Sequence, residues 1–269
     1  MSSTRESGTA CSDLDVSIVR AADRSTWRDS ALLSHQSFPA TGSFDLEGNA
    51  FGLLMVHNDD VVAPGEGFDM HQHRDVELVT WVMEGRLRHR DDGGMEGSAA
   101  GTESILSPGM AQRVSAGRDI RHSELNASGY LDGKKLRVIQ AWLPPDELGA
   151  APSHDEVDLN DALADGTLVP VASGTPGLAP LTIGTTGATL RIGRLPAGRT
   201  VDVPLSRFTH LFVASGSVSL GDETLYDGDV ARITVGGPDS ADSSEADPLP
   251  ATAIDDAEVL VWTMDRSIG

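Results

Sequence analysis

The sequence predicts an all-β chain made of two similar sandwich or barrel units, on three observations. Glycine (29) and proline (14) punctuate short runs rich in Val, Leu and Ile, roughly every eight to twelve residues, the spacing of strands joined by tight turns. Helical periodicity is scarce along the 269 residues. The turn pattern also repeats. Pro64-Gly65, Gly85 and Pro108-Gly109 in the first half are echoed by Pro196-Ala197-Gly198, Gly216 and Gly228 in the second, with 21 residues from Pro64 to Gly85 and 20 from Pro196 to Gly216. Similar turn spacing on two β runs points to a duplicated small barrel.

In chain order, residues 1–14 are Ser/Thr-rich, lack the apolar core of a secretory signal and read as a flexible N-terminus. Residues 15–146 are expected to form the first unit. Within it, 91–104 (DDGGMEGSAAGTES) reads as a long Gly-rich hairpin loop. The stretch 153–164 carries the best helical features: Ser153 and Glu156 have capping-box spacing ahead of Val157, Leu159 and Leu163. Residues 147–165 are therefore expected to be a linker, and 166–269 the second unit. The acidic, Pro-rich segment 236–252 is expected to be a mobile surface loop.

Charge narrows the partners. There are 41 acidic against 20 basic side chains, a formal charge of −21, which opposes direct binding to nucleic acid and to anionic membrane surfaces. The longest apolar run, 50–56, is far short of the ~20 residues of a membrane span. The single Cys11 cannot form an internal disulfide, in keeping with a reducing, cytoplasmic setting.

The chemistry concentrates in two histidine pairs. On a strand, His71 and His73 project from one face with Cα atoms about 6–7 Å apart, so their rings can converge on one ion. His122 and Glu124 repeat the arrangement within Ile120-Arg121-His122-Ser123-Glu124. If the two strands are neighbours, three imidazoles and a carboxylate meet. That set suits Fe(II), Ni, Co, Mn, Zn or Cu(II) and leaves coordination positions open. One His-x-His pair is more often surface or interface decoration; two such pairs bring metal binding level with that reading. Glu77 shares the parity of His71 and His73 if the strand runs unbroken, as do Trp81 and Met83, which read as core or pocket wall. His89 reads as a hydrogen-bonded strand histidine near a hairpin end. In the second unit, residues 201–207 (VDVPLSR) stand where a His pair would fall, so residue types there exclude a second centre.

Gly65, five residues, His71-x-His73, three residues, Glu77 and then Gly85 resemble the first cupin motif, with seven rather than six residues between the Glu and the last Gly. The strings HQHRDVELVTWVMEGRLRHRDDGG, LSPGMAQRVSAGRDIRHSELN and LRVIQAWLPP resemble the pirin family of bicupins, strongly over 38–145 and beyond that as a divergent second cupin. The resemblance implies one metallated cupin and one that has lost its site, with His71, His73, His122 and Glu124 as the ligands. It implies a supporting place for Glu77 behind them. Gln72 stands where the family usually has Pro, a change that restores a backbone N–H and removes no ligand.

For function, the resemblance implies one divalent transition ion, Fe(II) first, and dioxygen-dependent opening of quercetin-type flavonols. Glu124 or Glu77 would accept the proton of the flavonol hydroxyl. The alternative class is a non-catalytic metal-binding regulatory protein acting through a protein partner. A hydrolase or isomerase using Zn(II) or Mn(II) in the same ligands is a third, because a fold does not fix a reaction.

Overall fold

The computed structural model describes residues 14–38, 49–93, 101–236 and 246–268. Its strands form two pairs of sheets. In the first sandwich the seven-stranded sheet runs, edge to edge, Ser153–Asp158, Met110–Ser115, Glu77–Glu84, Leu136–Leu143, Val56–Val62, Leu32–Gln36 and Ser25–Arg28. The four-stranded sheet facing it runs Gly67–His73, Ile120–Asn126, Leu87–Asp91 and Glu103–Leu106. The second sandwich repeats the plan. Its seven strands are Leu14–Val19, Val230–Val235, Phe208–Ser215, Ala257–Met264, Ala188–Leu195, Val169–Ser173 and Leu181–Thr182. Its four are Thr200–Val203, Leu249–Ala253, Ser217–Leu220 and Glu223–Tyr226. This is the bicupin fold.

Side-chain period sets what faces inward. In Leu87–Asp91 the order Leu-Arg-His-Arg-Asp buries residues 87, 89 and 91 and exposes both arginines. In Glu77–Glu84, Val79 and Trp81 turn outward onto the other sandwich, where they join Ile139, Phe212, Leu260 and Trp262 in one buried cluster. The two large sheets thus pack back to back, tied by Trp81 Nε1 donating to Glu258 Oε1 at 2.5 Å.

The two interiors differ. The second sandwich is filled by a continuous apolar cluster including Leu211, Val213, Val218, Leu225 and Val259. The first holds two smaller clusters, one around Val62, Val82 and Leu136, the other around Leu78, Val114 and Ile120. Between them lie polar side chains and a cavity.

Three expectations are corrected. Ser153–Asp158 is an antiparallel edge strand on Met110–Ser115, so the stretch expected as a linker completes the first sandwich. Its first four residues alternate, with 153 and 155 exposed and 154 and 156 partly buried, and the open edge of Met110–Ser115 supplies the ladder a short helix would lack. The helix is confined to Asn160–Leu163, with no side-chain cap. Leu14–Val19, at the start of the stretch assigned to the first unit, instead pairs with Val230–Val235 in the second. Most of the flexible N-terminus expected over 1–14 lies outside the described residues, as do 94–100 of the hairpin loop and 237–245 of the acidic loop. The latter ends in the strand Leu249–Ala253. Among the described residues, no helix is long and apolar enough to cross a membrane.

Candidate metal centre

The strands Gly67–His73 and Ile120–Asn126 are antiparallel neighbours, with His71 opposite His122 and Ile120 opposite His73. A bulge between His122 and Glu124 then offsets the pairing, so that Glu124 lies opposite Phe68. Both pairs therefore present their rings to the sandwich interior at one place. The centroids of His71 and His73 are 4.7 Å apart, those of His71 and His122 4.6 Å, and those of His73 and His122 4.9 Å. Ligand atoms of His71, His73 and His122 all lie within 4.8 Å of one another, and His122 and Glu124 form an overlapping group with His89.

Protonation makes the cluster a cation site. His71 Nδ1 donates to the Asp69 carbonyl at 2.7 Å, which leaves Nε2 as a lone pair. That Nε2 faces His73 Nε2 at 2.9 Å. His122 is fully buried, and neither of its ring nitrogens has a hydrogen-bond partner. Burial, then the neighbouring imidazoles, pushes His73 down to about 4 and His122 down to about 3, so both rings are neutral near pH 7. Converging neutral imidazoles with unclaimed nitrogens are costly by themselves and fit one divalent transition ion.

The facing sheet orients the carboxylate. Gln112 and Gln140 reach across from Met110–Ser115 and Leu136–Leu143. Gln112 Nε2 donates to Glu124 Oε1, and Gln140 Nε2 donates to Oε2 at 2.7 Å. Trp142 Nε1 in turn donates to Gln140 Oε1 at 2.8 Å. These glutamines carry no signature in sequence. Their inward parity on two central strands of the large sheet was the available clue.

Glu77 is not brought to the centre. The strand carrying the first pair ends at His73, the chain turns through Asp75 at φ 49°, and Glu77 begins a strand of the other sheet. The parity that linked it to His71 is therefore lost. Its carboxyl accepts from Ser115 Oγ at 2.7 Å and from the Gly184 N–H of the second sandwich, and burial pushes it up. Trp81 and Met83 pack in the core between sandwiches. His89 holds the hairpin position expected of it, with Nε2 3.1 Å from Asp91 Oδ2. It also stacks on His154 at 4.3 Å, across the two sheets of the sandwich.

The centre opens on a cavity of about 560 Å³, within the usual range of small-molecule sites. His71, His73 and Glu124 are among the side chains that line it. Trp27, Phe68 and Trp142 supply aromatic wall, while Ser34, Asn58 and Asp60 supply a polar one. His73 and Trp142 meet edge to face at 4.9 Å.

The chain resembles known proteins in sequence and in fold. Residues 26–143 match the Pirin family model. A Mycobacterium tuberculosis protein provisionally named quercetin 2,3-dioxygenase is 41% identical over 94% of this chain and 97% of its own length. A pirin-like protein of Caulobacter vibrioides is 31% identical over 86% and 91%. Among solved structures, the bacterial pirin YhhW of Escherichia coli in complex with nickel(II) superposes with a TM-score of 0.77 over 94% of this chain and all of that one, at 24% identity. By sequence and by fold, the chain belongs to the pirin family.

Proposed function

We propose that this chain is a metal-dependent dioxygenase that opens quercetin-type flavonols, with Fe(II) as the first candidate ion. The observation that carries the reading is the convergence of His71, His73 and His122, with Glu124 grouped with His122, beside an aromatic-walled cavity. A nickel(II)-bound pirin and a relative carrying the flavonol dioxygenase name support it.

His71, His73, His122 and Glu124 would hold the ion. When bound, it supplies Lewis acidity towards a substrate hydroxyl and a centre for chemistry with dioxygen. The chain's own side chains do the rest. Trp27, Phe68 and Trp142 offer faces and edges for a planar aromatic ligand. The Gln112 and Gln140 amides fix the Glu124 carboxylate, which suits it to ligation rather than to proton transfer.

The test is turnover of quercetin by metal-loaded protein under air, wild type against His71→Ala. A fall of ~10³-fold or more is expected from losing a first ligand of the ion; equal rates would discard the reading.

A further inference from the structure

The cavity contains a second carboxyl group that the metal centre leaves unused. Asp60 lies on Val56–Val62, across from Ser34 in the strand register, and lines the cavity together with His71 and His73. The residue is 3% exposed, and its Oδ1 has no hydrogen-bond partner. Nearby cations are directed elsewhere. Arg137 makes a two-pronged contact with Asp59, at 2.9 and 2.8 Å. Arg24 donates to the carbonyls of Gly228 and His35.

Elimination among the carboxylates leads the same way. Glu124 has each oxygen claimed by an amide, and Glu77 faces the second sandwich. The charged and titratable groups around Asp60 are Asp59, Glu124 and Arg24, with His71 and His73 sharing its cavity. Burial first, then the Asp59 and Glu124 charges, push its carboxyl up to about 7, against the pull of Ser34 and Arg24.

We propose that Asp60 is the general base of the cavity, taking the proton of an acidic aromatic or enolic hydroxyl on the substrate. The substrate O–H bond breaks, a new O–H bond forms on the Asp60 carboxylate, and the electron pair stays on the substrate oxygen as an oxyanion. An aliphatic alcohol is too weak an acid for this exchange, so the class of ligand is set by the base. The assignment rests on the reading of the cavity as the site of a hydroxylated aromatic, and it replaces the proton-accepting role that the sequence offered to Glu124 or Glu77.

The experiment is anaerobic binding of quercetin and of 4-nitrocatechol, both of which change colour on losing a hydroxyl proton. Wild type, Asp60→Asn and Asp60→Glu are compared at equal metal content. In the wild type both probes should bind as anions near neutral pH. In Asp60→Asn the pH for conversion of bound probe should rise by about one unit or more, a tenfold loss of anion, with Asp60→Glu restoring part of it. Calorimetry of the wild type in two buffers gives a reading independent of any variant. Slightly above neutrality, anion binding should release clearly less than one proton to the buffer, because Asp60 retains it. A full proton released, unchanged anion formation in Asp60→Asn, or failure of both probes to bind the wild type would each overturn the proposal. Asp60-dependent anion formation without quercetin turnover would remove the dioxygenase reading and leave this one standing.

Discussion

At the scale of the residue, His122 decides whether the centre exists. It sits at 0% exposure with both nitrogens unpartnered, a state that is unfavourable unless an ion takes one of them. His122→Ala should therefore lose the metal while keeping the fold. Elemental analysis should find about a tenth or less of the wild-type content, against a near-unchanged circular dichroism spectrum. Gln140→Leu tests the support from the facing sheet: with Glu124 Oε2 released, metal affinity should fall ~10–100-fold, measured by competition with a chelator. The two histidine pairs were legible in sequence because strand parity alone puts 71 with 73 and 122 with 124 on one face. Gln112, Gln140 and Asp60 were not, because their role depends on which sheet faces which. Glu77 was misplaced by the same parity rule, which fails once the chain turns at Asp75 and changes sheets.

At the scale of the element, the turns repeat more faithfully than the side chains. Gly85 and Gly216 follow equivalent strands, Glu77–Glu84 and Phe208–Ser215, and both adopt left-handed backbone, at φ 78° and 74°. A Cβ at Gly85 would meet the Lys135 carbonyl oxygen at 2.3 Å, and one at Gly216 the Asp256 carbonyl oxygen at 2.2 Å. Each Gly→Ala should cost about 2 kcal/mol or more, since positive φ and a backbone clash add. Urea denaturation of the two variants checks this, and similar losses at both sites would show that the duplication preserved the turn itself. Such turns are what the 21- and 20-residue spacing detected in sequence. Ser153–Asp158 escaped the same reading, because Ser153 and Glu156 mimic a helix start. In the folded chain Glu156 instead accepts from Ser104 Oγ, and His154 stacks on His89, contacts made across strands far apart in sequence.

At the scale of the whole molecule, the seam between sandwiches carries a pair of neutral histidines whose protonation opposes the native state. His57 of the first sandwich and His210 of the second have ring centroids 4.5 Å apart, and both are fully buried. Arg24 stacks over Phe212 and Arg232 over Phe38 beside them, so both rings feel positive charge. Burial, then these like charges, pushes His57 down to about 3 and His210 well below its ordinary value. The folded state thus refuses a proton that the unfolded state accepts below about 6.5, and stability falls as pH drops from there towards 3. Between pH 7 and pH 5 the His57 ring should remove about 2 kcal/mol, and the His210 ring adds a loss of the same sign. His210→Leu isolates the effect. Both His210 nitrogens lack partners, so an apolar side chain there strands no new polar group, and unfolding free energy at pH 7 should stay the same or rise. Between pH 7 and pH 5 the variant should lose clearly less stability than the wild type, read from urea midpoints at both pH values. The metal ligands and Asp60 are common to both proteins and cancel in that difference, so parallel acid profiles would mean that the His210 ring is not held neutral at the seam.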